Sequence, residues 1–274
     1  MPKIKANGIE LYYHLHGLEG GDTLVLSNGV LMSTAGWVYQ VPILSQHFNL
    51  LLYDCRGMWG SEHPPGPYTM ELHADDLAAL LDALEIESAH IGGTSYGAEL
   101  SMVFAHKYPE RTRSLLLISA VSQIDPVLEG LVNLWLAAAE VGDPELFFKA
   151  VYPVTFSDRW CAENQPILDQ ALERYRSLDF NALIELFRCF LSFNFTEKLA
   201  EIGAPTLVIV GELDILKPRP YAEIIAQKIP NAEYAIIPGA AHAPFWEKVE
   251  TFNSIVLGFL LKNAARGNNK ELAV

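Results

Sequence analysis

A serine, an aspartate and a histidine far apart in this chain share one kind of setting, and together their side-chain types can perform acyl chemistry. Ser95 lies in Gly93-Thr94-Ser95-Tyr96-Gly97, where the apolar run Ala89-His90-Ile91 passes within a few residues into a helical pattern. Small residues at Gly93 and Gly97 suit a strand that turns sharply into a helix, holding the residue between them in strained backbone with its side chain outward. The unpaired N–H groups and positive dipole end of such a helix stabilise negative charge on a bound carbonyl oxygen. Asp214 closely follows the apolar run Leu207-Val208-Ile209-Val210, and His242 stands in the loop Pro238-Gly239-Ala240-Ala241-His242 after another such run. A serine hydroxyl is a weak nucleophile at neutral pH. A histidine beside it can take its proton and later return it to the leaving group, while a carboxylate orients the imidazole and stabilises its cation. Asp125, after the run that ends near Ser119, is a second candidate for the acid.

Ligands of an open parallel sheet gather at the carboxyl ends of its strands, so these residues require parallel strands with helical crossovers. Residues 9–16 are β-prone, follow Asn7-Gly8, and predict an antiparallel hairpin with residues 3–6. His14 and His16 share one face of that strand with no third ligand at motif spacing, and are read as an ordinary strand-face pair. Continuous apolar runs at 23–27, 50–54, 113–119, 205–211 and 232–237, together with the run before Ser95, predict buried parallel strands. Helical spacing predicts helices from about Thr34 to Gln46, Met70 to Leu84, Arg219 to Lys228 and Phe245 to Leu261, with a polar tail over 262–274 whose end is expected to be mobile. Asp54, at a strand end, is read as an organiser of the Gly/Pro-rich loop 55–67. His63, His73, His90 and His106 read as surface or helix-face residues, and Glu99 as an ordinary glutamate. The alternation of strand and helix stops from 124 to about 201, where short helices are predicted at 127–140, 144–151, 164–176 and 179–191. That segment is rich in rings, including Trp135, Phe147, Phe148 and Trp160. Apolar faces in excess of its own small core must be buried against something, and a lid over a pocket is the natural place. The expected organisation is one sheet domain, 1–123 and 202–274, divided by a helical insert, 124–201.

The chain has 274 residues, half of them hydrophobic, which is enough for a large α/β core. A net charge of −14 makes nucleic acid and anionic membranes poor partners. Three cysteines without a CxxC suggest neither a disulfide framework nor a zinc pair. No run reaches the roughly 18 to 20 apolar residues of a membrane span, and the start of the chain does not resemble a signal peptide. A cytoplasmic protein acting on a small molecule is the expectation, with assembly into a homo-oligomer left open.

Gly93-Thr94-Ser95-Tyr96-Gly97, Val210-Gly211-Glu212-Leu213-Asp214 and Gly239-Ala240-Ala241-His242 resemble the three triad motifs of the α/β-hydrolase superfamily, in its chain order. The resemblance spans about residues 4–262. It implies a mostly parallel eight-stranded sheet with helices on both faces, a helical cap at 124–201, and an oxyanion hole from the backbone N–H groups of Val30 and Tyr96. It also implies chemistry that needs no cofactor or metal. Many relatives carry His-Gly where this chain has Asn28-Gly29, as enol-lactonase-like and acyltransferase-like branches do. Asn28, Leu31, Trp135 and Phe147 are the candidate substrate-binding residues. The expected activity is hydrolysis of a carboxylic ester or lactone with an apolar acyl or aryl group through an acyl-serine. Acyl transfer, carbon–carbon bond hydrolysis and cofactor-free perhydrolysis use the same residues, and an inactive ligand-binding fold is the non-enzymatic alternative.

Overall fold

A computed structural model describes residues 2–17 and 20–264, and each apolar run of the sequence becomes a strand of one eight-stranded sheet. The strands are β1 (Lys3–Ala6), β2 (Ile9–Gly17), β3 (Thr23–Ser27), β4 (Asn49–Tyr53), β5 (Ala89–Thr94), β6 (Thr112–Ile118), β7 (Thr206–Gly211) and β8 (Glu233–Ile237). Their order is β1-β2-β4-β3-β5-β6-β7-β8, with β1 and β2 antiparallel to their neighbours and all others parallel. Successive side chains of a strand point to opposite faces, so a continuous apolar run feeds two cores. Val25, Leu51, Ile91, Leu117 and Val208 join the core on one face. Leu24, Leu50, Leu52, Leu116 and Ile209 join the core on the other.

Helices cover both faces. After a short helix α1 (Val41–Leu44), α2 (Met70–Ala83) and α3 (Tyr96–Lys107) pack together on the first core. The helices α4 (Pro126–Val141), α5 (Pro144–Thr155), α6 (Asp158–Glu163), α7 (Gln165–Tyr175) and α8 (Phe180–Leu191) all lie between β6 and β7 in the chain, with α4 packed on α5 and α8, and α5 on α7. The sheet then resumes with α9 (Arg219–Lys228), and the chain closes with α10 (Pro244–Glu247) and α11 (Val249–Asn263). Phe252, Val256 and Phe259 of α11 fill the second core. Among the described residues no helix is long and apolar enough to cross a membrane.

Two predicted helices are divided, and the insert holds one helix beyond those predicted. In place of one helix from Thr34 to Gln46 there is a 3-10 turn, Thr34–Trp37, and then α1. Pro42 has no N–H to give to a preceding turn and its ring would clash with that turn, so a helix can begin beside it but not run through it. The final helix breaks at Lys248 (φ −136°, ψ 58°), and in the insert a separate helix, α6, precedes α7. The Ser157 side chain, accepting from the Trp160 N–H, is the cap that starts α6. The predicted polar tail lies, from residue 265 onward, outside the described residues.

Candidate active site

Ser95 sits between β5 and α3 with φ 54° and ψ −118°, a backbone conformation that costs a non-glycine residue about 1–3 kcal/mol. The surroundings hold it there. Its N–H donates to the Ile118 carbonyl of the neighbouring strand at 2.8 Å, and its own carbonyl accepts from Ala98 and Glu99 in the first turn of α3. The chain can turn so tightly only because α3 lies against the end of β3. A Cβ on Gly97 would stand 2.3 Å from the Ser27 carbonyl oxygen. Gly97→Ala is therefore expected to lower the unfolding free energy by about 1–3 kcal/mol in urea titrations. Gly130→Ala, in the exposed part of α4 with nothing within 4 Å of the new methyl, should raise it by about 0.5–1 kcal/mol.

Asp214 and His242 come from the loops after β7 and β8, which are laced together. Leu213 donates to the Ala240 carbonyl at 2.8 Å, Glu212 to Ile237 at 3.0 Å, and a Cβ on Gly211 would stand 2.0 Å from the Ala241 oxygen. The Asp214 Oδ1 accepts from the N–H groups of Leu216 (3.0 Å) and Lys217 (2.8 Å), a local turn that aims Oδ2 at the histidine. The His242 Nδ1 lies 2.9 Å from Oδ2, which makes Nδ1 the protonated nitrogen and leaves Nε2 for proton exchange. The main chain of His242 is clamped as well. Its N–H donates to the Thr155 carbonyl at the end of α5 and its carbonyl accepts from Ser119 Oγ at 3.0 Å. Asp125 does not share this position. Its Oδ1 caps α4 through the Val127 and Leu128 N–H groups and its Oδ2 accepts from Tyr221. These donors, Leu128 first, hold its carboxyl below the usual range.

Ser95 and His242 both line a cavity of about 250 Å³, with Val30, Leu31 and Trp59 from core loops and Trp135, Phe148 and Trp160 from the insert. The N–H groups of Val30 and Tyr96 find no acceptor among the described residues. Tyr96 is the first residue of α3, so its N–H points out of the helix end.

Of the four candidate binding residues, Leu31 and Trp135 line the cavity and Asn28 and Phe147 do not. Asn28 is fully buried with its amide spent: Nδ2 donates to the Tyr53 carbonyl and to Asp54, and Oδ1 accepts from Trp37 Nε1. Its work is to fix the loop that carries Val30. Phe147 is enclosed by Tyr175, Phe180 and Phe187 and packs the insert. Asp54 accepts from Asn28, Thr34 and Gly60, binding three loop segments together, and burial outweighs these donors to push its carboxyl up to about 6.

Several residues near the site carried no sequence signal for their role. Lys217, wholly buried, places Nζ 2.9 Å from both carboxylate oxygens of Glu99 on α3, so Glu99 is half of a buried ion pair. Burial pushes both groups toward neutrality and their pairing opposes it. Glu247 accepts from the Ala241 N–H and from Ser157, tying the histidine loop to the insert. His73 and His90, read as surface or helix-face residues, are both buried, His73 on a face of α2 and His90 in β5. His73 Nε2 shares a 2.8 Å hydrogen bond with the Tyr96 hydroxyl, and His90 Nδ1 one with Ser114. His63 and His106, partly exposed, pair with Asp179 and Glu201. His14 and His16 stack on one strand face, with Tyr12 on His14.

Burial pushes the His73 imidazole down to about 3 and that of His90 down to about 4, from 6.5. Both folded values lie below the unfolded one, so the unfolded chain binds more protons below pH 6.5. The stability that these neutral rings contribute is whole above pH 6.5 and is lost as pH falls toward the folded values. Urea unfolding between pH 6.5 and about 4 should show a steeper loss for the native chain than for His73→Gln. Parallel curves would mean that His73 titrates normally.

The match to known proteins extends over nearly the whole molecule. A family model described as alpha/beta hydrolase fold covers residues 16–249. A protein of Azorhizobium caulinodans provisionally named carbamate hydrolase RutD is 30% identical over 262 residues, 94% of this chain and 98% of that protein. Among solved structures, the enol-lactonase from Burkholderia xenovorans superposes with a TM-score of 0.90 at 27% identity, covering 95% of this chain and all of that one. A thermophilic esterase from Thermogutta terrifontis superposes at 0.89 with 25% identity, over 97% of this chain and all of its own.

Proposed function

Since the chain belongs to the α/β-hydrolase fold family, we propose that it cleaves a carboxylic ester or lactone carrying an apolar acyl or aryl group, through an acyl-serine intermediate. The observation that carries this reading is the 2.9 Å contact of His242 Nδ1 with Asp214, on the wall of the cavity that also exposes Ser95. In this mechanism Ser95 Oγ adds to the substrate carbonyl carbon as His242 Nε2 takes its proton. The carbonyl oxygen becomes an oxyanion, received by the Val30 and Tyr96 N–H groups. Collapse expels the alkoxide, which leaves with the proton from His242. A water, deprotonated by the same nitrogen, then adds to the acyl carbon and restores Ser95. Asp214 stabilises the imidazolium in both halves of the cycle, and the insert 124–201 acts as a cap whose aromatic walls exclude bulk water.

The names of the relatives support attack at an acyl carbon, since a carbamate, an enol-lactone and an ester each join a carbonyl to a leaving oxygen or nitrogen. A fluorophosphonate probe tests the nucleophile. One equivalent should attach to the native chain and none to Ser95→Ala, and equal labelling of the two would refute the assignment. A rate survey of aryl esters, lactones and aryl carbamates then ranks the leaving groups.

A further inference from the structure

Arg174 is the one Asp, Glu, Lys or Arg side chain among the described residues that line the cavity. It projects from α7 of the insert, held by two groups of the core: Ser33 Oγ accepts from its Nη2 at 2.8 Å, and its guanidinium lies 4.7 Å from the centre of the Trp59 ring. No carboxylate among the described residues stands within ion-pair distance of it. The adjacent Glu173 is taken by Arg176 at 3.1 Å, and Asp54, whose carboxyl feels the Arg174 charge without forming an ion pair with it, accepts from Asn28, Thr34 and Gly60. A guanidinium carries five N–H donors, so several remain for a ligand. The chain as a whole carries a charge of −14, yet among the described residues no carboxylate lines the cavity beside this cation.

From this placement we infer that Arg174 is a carboxylate-binding group, and that the substrate is an anion whose free carboxylate lies across an apolar spacer from the carbonyl attacked by Ser95. The inference rests on the hydrolase reading for the reacting end and names the class of substrate. Trp59 stacks on the guanidinium and holds its plane, and Ser33 fixes one edge, so the opposite edge meets a carboxylate with two parallel N–H donors. The rings of Trp135, Phe148 and Trp160 surround the spacer. The rival role for Arg174 is a latch between insert and core, through the same Ser33 and Trp59 contacts. A latch would serve neutral and anionic substrates alike.

The test compares two 4-nitrophenyl esters of equal chain length, one ending in a carboxylate (the monoester of glutaric acid) and one ending in a methyl group (pentanoate). The ratio of kcat/KM for the anionic over the neutral ester should fall about ten- to hundredfold in Arg174→Met, chiefly through KM, and less in Arg174→Lys. The native ratio should shrink as salt is raised. An unchanged ratio, with both esters slowed equally, would make Arg174 a latch and overturn the inference. Calorimetric binding of glutarate to Ser95→Ala and to Ser95→Ala/Arg174→Met separates this claim from the one beneath it. Glutarate binding that requires Arg174, in a protein that turns over no ester, would keep the carboxylate site and refute the hydrolase. Ester turnover without Arg174-dependent binding would do the reverse.

Discussion

Asp214→Asn should lower kcat for aryl-ester hydrolysis by about 10⁴-fold and Ser95→Ala by about 10⁶-fold, while Asp125→Asn leaves it in the native range. The two aspartates differ in what surrounds them. Oδ1 of Asp214 is held by two backbone N–H groups and Oδ2 by His242, so an asparagine there must present an amide nitrogen to one of these donors. If the amide turns toward His242, the imidazole is driven into the wrong tautomer and Nε2 can no longer accept the serine proton. Asp125 spends its carboxylate on α4 and Tyr221. An asparagine still caps a helix, so its loss costs a fraction of stability rather than the chemistry. Single-turnover measurements of acylation decide the matter. Comparable losses at the two positions would mean that the acid has been misassigned.

A second large effect is expected away from the reacting atoms. Lys217→Met leaves Glu99 buried without its counter-charge and should cost about 3–5 kcal/mol in urea unfolding near neutral pH. The double variant Glu99→Gln/Lys217→Met should recover most of that loss, because the glutamine can still accept from the Val121 N–H and no charge remains to be solvated. The sign of the pH effect is fixed by the same argument. A lone buried Glu99 has a folded pKa above its unfolded value, so lowering the pH protonates it in the folded chain and the deficit of Lys217→Met should narrow. A single-variant loss below about 1 kcal/mol would show that the pair contributes nothing that water cannot replace.

Much of the frame was legible in sequence because strand burial and close backbone approach leave local marks. Each continuous apolar run became a strand, all but the one before Ser95 within a residue of its expected bounds, and the glycines around Ser95 and Asp214 stand where a Cβ has no room. Other features depend on partners remote in the chain and leave no local mark. Glu99 and Lys217 meet across 118 positions. Asn28 stands two residues before Val30 in sequence, and only its three buried partners show that its amide turns into the protein rather than into the cavity. Phe147 and Phe148 are neighbours in a helix that must face two ways, so one packs the insert and the other lines the cavity. A run of aromatic residues does not say which is which. Arg174 is not singled out by the sequence, because its contacts with Ser33 and Trp59 join positions more than a hundred residues apart.

The hydrogen bond from the His242 N–H to the Thr155 carbonyl, with Glu247 bridging Ala241 and Ser157, has a consequence for how this enzyme can be rebuilt. The loop that carries His242 is moored to the insert. A chimaera given a foreign insert inherits a new specificity only if the graft also supplies a carbonyl at the place of Thr155 and a hydroxyl at that of Ser157. Without those two atoms the histidine loses its moorings, and selectivity and turnover fall together. In this molecule the insert is not an interchangeable part.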